Sequence, residues 1–178
     1  MGQAGNTYNI LSDKGVQYNA KFVDPKYGGD VTVIQKAGIT SGKDQLEYDH
    51  GGVAKLDGTD MTKGKTYTLD NNGTAVWDGK TLNFSDDKYK ISLSDDPNDG
   101  KAVLSNVSLK DGVNPVTNGV SPHGLLGQTA DDIDGPHQGV NNANIKDQGG
   151  SVIDGTVDQY EVNGLFDTNF KNFNRFNG

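Results

Sequence analysis

The chain has 178 residues, a formal net charge of −8, 32% apolar residues, 25 glycines and no cysteine. Such a length fits one domain, and a thin apolar fraction with abundant glycine predicts many loops and argues against a helical bundle. The acidic balance argues against nucleic acid or an anionic membrane as partner, no apolar run is long enough to insert into a bilayer, and the missing cysteines exclude disulfides and thiolate metal sites.

Residues Tyr8 to Val23 read as a hairpin around the turn Ser12-Asp13-Lys14-Gly15, and alternation places Val16, Tyr18, Ala20 and Phe22 on one face. Asp24-Pro25 ends the second strand of that hairpin or opens a loop, because proline has no N–H to donate and restricts the residue before it. A strand is predicted over Val31–Gln35, followed by a turn-rich stretch with a short strand near Gln45 to Tyr48.

Between Lys65 and Leu109, short β-prone runs alternate with Asp, Asn and Gly at the spacing of an antiparallel meander. The predicted strands are Thr66–Leu69, Ala75–Trp77, Thr81–Phe84, Tyr89–Leu93 and Ala102–Leu109. The turns Asp70-Asn71-Asn72-Gly73, Asp78-Gly79 and Asp111-Gly112 contain residues that accept positive φ. Ile91 and Leu93 share a face, as do Val103, Ser105, Val107 and Leu109, so one side of the meander is expected to be buried and the other wet.

From Gly112 to about Gly150 the chain is rich in glycine and asparagine and poor in β-branched runs, as expected of a functional loop region. Order is predicted to return from Ser151, with Phe166, Phe170, Phe173 and Phe176 plugging the core; their spacing also fits a short helix, against which the interleaved asparagines argue. The chain is thus expected to be one all-β domain over residues 1–178, two packed antiparallel sheets in a β-sandwich or flattened barrel with little helix.

The densest chemistry lies in Ser121–Gly139. Gln128, Asp131, Asp132 and Asp134 are hard oxygen donors within seven positions, the set that calcium selects, and a cation would relieve the repulsion among the carboxylates. The competing reading is a solvated acidic turn, and the spacing is not that of an EF-hand loop. His123 and His137, with His50, could ligate a transition metal only if the fold gathered them; each otherwise reads as an ordinary loop histidine. No cysteine nucleophile and no Gly-x-Ser-x-Gly is present. The Asp24-Pro25 and Asp96-Pro97 bonds leave open a metal-triggered self-cleaving module, with a plain proline turn as the alternative. A carbohydrate-binding module would use Trp77 as a stacking platform, although its place inside the meander predicts a core residue.

Three stretches, in order, carry a family resemblance. His123-Gly124-Leu125-Leu126-Gly127-Gln128 resembles the Gly-Leu-Cys-Gly-Asn segment of von Willebrand factor type D domains, and also its counterpart in cysteine-free relatives, the C-terminal region of inter-α-trypsin inhibitor heavy chains and plant root-cap proteins. Tyr8 to Phe22 is similar to the root-cap pattern of strand, Ser-Asp turn and strand ending in Asn-Ala-x-Phe, and Val157 to Phe166 to the closing segment of the same group. The resemblance implies a type D-like sandwich without its first strand, and a calcium loop at Gln128, Asp131, Asp132 and Asp134. Glutamine stands at 128 where the family has asparagine, and the disulfide-linked multimers of the animal domains do not carry over. The expected protein is an extracellular, bacterial, structural or adhesion module that binds Ca²⁺ and meets other surface proteins, matrix proteins or glycans. An enzyme is the less favoured alternative.

Overall fold

The computed structural model describes residues 6–23, 33–98, 100, 102–110, 144–146, 152–156, 161–168 and 176. Two antiparallel meanders dominate it. The first runs through β1 (Thr7–Asp13), β2 (Val16–Val23), β3 (Val33–Ser41), β4 (Asp44–Asp49), β5 (Val53–Leu56) and β6 (Thr59–Asp60). The second runs through β7 (Thr66–Thr68), β8 (Thr74–Trp77), β9 (Thr81–Ser85), β10 (Tyr89–Asp95) and β11 (Val103–Leu109). A separate pair, β12 (Asn144–Lys146) with β13 (Val152–Thr156), follows, and β14 (Glu161–Val162) returns to the edge of the first sheet beside β1. The sheet orders are β14-β1-β2-β3-β4-β5-β6 and β11-β10-β9-β8-β7, and no helix occurs among the described residues.

The two meanders face each other as a flattened β-sandwich, and alternation decides what lies between them. Val16, Tyr18, Ala20 and Phe22 point inward from β2, as do Tyr89, Ile91 and Leu93 from β10, and all are buried in one cluster with Leu82 and Phe84. Trp77 is in this cluster and packs against Tyr48 of the opposite sheet, ring centroids 5.9 Å apart. Tyr18 reaches across to Ser105 on β11, hydroxyl to hydroxyl at 2.7 Å. Burial drives the Tyr18 phenol well above its ordinary pKa, the Ser105 bond opposing only weakly, so the group stays neutral and links the layers as a hydrogen-bonded phenol.

A bulge in β1 decides the fate of one carboxylate. Asn9 pairs with Asn19, but the next pairs are Leu11 with Tyr18 and Asp13 with Val16, so Ile10 is the extra residue. Side chains alternate with a period of two, so one inserted residue inverts the facing of everything after it. Leu11 and Asp13 therefore turn to the inner face with Tyr18 and Val16, and both are buried. Asn9, before the bulge, stays on the outer face.

The second meander has its expected strands and the expected turns at Asp70-Asn71-Asn72-Gly73 and Asp78-Gly79, while Asp111-Gly112 lies outside the described residues. Asn71 and Asn72 both have φ of 60° in the turn before β8, and Gly79 has φ of 94° before β9. The first meander is more extensive than its residue pattern suggests. Within the described residues, the strand expected over Val31–Gln35 is part of β3, Val33–Ser41, which continues through Lys36, Ala37 and Gly38 because β2 and β4 hold it on both sides. The short strand near Gln45 is β4, and the unanticipated β5 and β6 form a small hairpin over Asp57-Gly58, with φ of 50° and 83°.

Candidate functional site

Gln128, Asp131, Asp132 and Asp134, together with His123, His137 and Asp24-Pro25, lie outside the described residues. His50 is half-buried beyond the end of β4, where its backbone N–H donates to the Gln35 carbonyl at 3.0 Å. Asp96 caps its own proline turn, accepting the Asn98 N–H at 2.8 Å. Trp77 is only 9% exposed and offers no open stacking face. Among the described residues, no three His, Asp or Glu side chains form a metal-holding group.

The described chemistry instead gathers at one end of the sandwich, where the β1–β2 turn, the β7–β8 loop and the β9–β10 turn meet. A cavity of about 330 Å³ there is lined by Asp13, Lys14, Val16, Asn71, Asp86, Asp87, Lys88 and Tyr89. Glycine suits position 15 because its φ is +75°, and a Cβ there would crowd the Asn71 side chain, whose Nδ2 it would meet at 2.5 Å.

Asp13, brought inward by the bulge, is the centre of this end. Its Oδ2 accepts from Lys88 Nζ at 2.5 Å and from the Tyr89 hydroxyl at 2.6 Å, and its Oδ1 accepts the Lys14 backbone N–H at 2.8 Å. The Asp13 and Lys88 side chains are 3% and 13% exposed, so this ion pair is screened far less than a surface pair. Next to it, Asp86 Oδ1 accepts the backbone N–H groups of Lys88 and Tyr89 at 2.8 and 2.6 Å. Burial raises the Asp86 pKa, and the two N–H bonds and Lys110 oppose that shift without cancelling it.

Other carboxylates also join strands. Asp70 Oδ2 accepts the Lys43 N–H at 2.9 Å, while the Asp70 N–H donates to Asp44 Oδ2 at 2.7 Å, tying the β3–β4 turn to the loop before β8. At the opposite end, the Tyr48 hydroxyl of β4 donates to Asp95 Oδ1 of β10 at 2.7 Å. Burial first, and the Asp95 carboxylate second, push that phenol well above its ordinary pKa.

The sequence marks Asp13 only as a turn residue, since neither alternation nor composition announces the bulge that turns it inward. The outer face of the first sheet is equally unannounced. Asn19 lies there fully buried, accepting from Asn9 Nδ2 and Gln17 Nε2 and donating to the carbonyls of Gly164, Leu165 and Asp167 at 3.1–3.3 Å. The chain after β14 thus crosses the outside of β2 and β3, and at Gly38 a Cβ would sit 2.7 Å from Leu165. No family model matches the chain, and no curated protein matches it in sequence.

Proposed function

We propose that the chain is a calcium-stabilised structural or adhesion module of an extracellular protein, related to von Willebrand factor type D domains, with Gln128, Asp131, Asp132 and Asp134 holding the ion. The observation that carries this reading is the use of carboxylates as cross-links: Asp13, Asp70 and Asp95 each fasten one strand or turn to another through hydrogen bonds, buried at Asp13, half-buried at Asp95 and exposed at Asp70. A chain of this acidity without disulfides has its aspartates available as fasteners, and a calcium ion in the acidic run extends the same device to the loop after Gly127. The reading makes the domain a scaffold that other surface or matrix proteins, or glycans, contact.

Binding to the folded state alone stabilises by RT ln(1 + [L]/Kd), about 2.7 kcal/mol when free calcium is a hundredfold above Kd. The melting temperature is expected to rise between EDTA and millimolar calcium, and the rise is expected to vanish when Asp131, Asp132 and Asp134 are all replaced by Asn. Equal melting temperatures in EDTA and calcium would remove the metal from the reading.

A further inference from the structure

We propose that Lys88 and Asp13 react with each other inside the folded domain to form an intramolecular amide bond, so that the two sheets are joined covalently at the polar end of the sandwich. The two residues are 75 positions apart in the chain, yet Lys88 Nζ lies 2.5 Å from Asp13 Oδ2, with both side chains almost wholly withdrawn from water. Holding two reacting groups in contact gives effective molarities of about 10⁵–10⁸ M, which favours a condensation that is unfavourable between free molecules in water.

The atoms around the pair match the needs of the reaction. Transfer of one proton from the ammonium to the carboxylate gives a neutral amine and a neutral carboxylic acid, and Nζ then adds to Cγ of Asp13. The developing negative charge falls on Oδ1, where the Lys14 backbone N–H already points at 2.8 Å, as a donor must to stabilise an oxyanion. The Tyr89 hydroxyl, 2.6 Å from Oδ2, is placed to relay a second proton from Nζ to that oxygen. The Cγ–Oδ2 bond then breaks as the Nζ–Cγ amide is completed. Nζ has given up two protons, Oδ2 leaves with both as one water molecule, and no oxidant or other co-reactant is consumed. The cavity of about 330 Å³ beside the pair can take up the released water. Asp86 fixes the reacting turn by accepting the N–H groups of both Lys88 and Tyr89.

The test is the intact mass of the purified full chain, measured after denaturation. The expected result is a mass one water below that of the sequence, and a protease digest in which the peptides containing Asp13 and Lys88 run as one branched species. Lys88→Arg keeps the positive charge beside Asp13 but lacks the amine nucleophile, so it is expected to have its full sequence mass. Asp13→Asn offers a carboxamide to the same lysine and is expected to lose ammonia in place of water. A wild-type chain at full mass, with β-sheet circular dichroism showing that it is folded, overturns the proposal. So does loss of water that persists in Lys88→Arg, since that would come from aspartate cyclisation at an Asp-Gly bond elsewhere in the chain.

Discussion

The turns at the two ends of β9 are built alike and behave in opposite ways. Asp78 Oδ1 accepts the N–H groups of Lys80 and Thr81 at 2.8 and 2.7 Å, and Asp86 Oδ1 accepts those of Lys88 and Tyr89 at 2.8 and 2.6 Å. Each aspartate also donates its own N–H to the carbonyl three residues on, at 3.2 and 3.1 Å. Asp78 is exposed, and the N–H bonds from Thr81 and then Lys80 lower its pKa. Asp86 is buried, and loss of hydration outweighs the same two bonds and raises its pKa. An aspartate's hydrogen bonds are therefore set by local chain geometry, while the sign of its electrostatic effect is set by what the rest of the fold lays over it.

The largest test of this contrast removes the lysine two residues after each aspartate. Lys88→Ala leaves the buried Asp13 carboxylate without its counter-ion, held only by the Tyr89 hydroxyl and the Lys14 N–H, and is expected to cost about 3–5 kcal/mol. Lys80→Ala, on the exposed turn, is expected to fall within about 0.5 kcal/mol of wild type. Urea denaturation of both variants checks the pair, and equal losses would break the contrast.

A smaller effect appears as pH dependence. Because folding raises the Asp86 pKa, its contribution to stability is fully present below the unfolded value of about 3.9 and is lost as pH rises through the folded value. Asp86→Asn keeps an Oδ1 to accept both N–H groups but removes the charge. It is expected to match wild type near pH 4 and to exceed it increasingly toward neutrality, read from denaturation midpoints across that range.

Asp78 gives the opposite and smallest signal. Its folded pKa is lowered, so its contribution is present above the unfolded value and is lost as pH falls through the folded value. Asp78→Asn is expected to melt slightly below wild type at neutral pH and to converge with it in acid. A slope of the same sign as that of Asp86→Asn would show that burial does not separate the two turns.

The same division between local and long-range causes explains what the residues disclose. The β1–β2 hairpin and the five strands of the second meander follow from alternation and from Asp, Asn and Gly at the turns, which act over a few positions. Alternation alone also assigns Gln17 and Asn19 to a solvent-facing side of β2. Both are fully buried: the carbonyls of residues near 165 lie over Asn19, to which Gln17 is hydrogen-bonded, whereas the corresponding residues of the second sheet, such as Asn83 and Asn106, are exposed. A covered polar face and a wet one share a pattern within the strand, and only a segment distant in sequence tells them apart. Asp13 is obscured for a related reason, since one bulge residue inverts its facing without changing the composition around it. Of the candidate site, the acidic run at Gln128 to Asp134 is visible as chemistry, whereas the gathering of Asp13, Asp86, Lys88 and Tyr89 is visible only after folding.

The return of the chain to its first hairpin has a consequence for the order of folding. β14 pairs Thr7 with Val162, Asn19 binds carbonyls at 164, 165 and 167, and the Gly15 N–H donates to the Phe176 carbonyl at 2.9 Å. Strands β1 and β2 are thus completed by a segment that is synthesised well after them. Until those residues emerge, the β1 edge lacks its β14 partner and Asn19 lacks the carbonyls it binds, and closing so long a span slows this step. The second meander pairs only neighbours and can form without waiting. Synthesis is therefore expected to leave a nascent chain with one finished sheet and one open edge, and that interval is when a chaperone or a misplaced strand would find it.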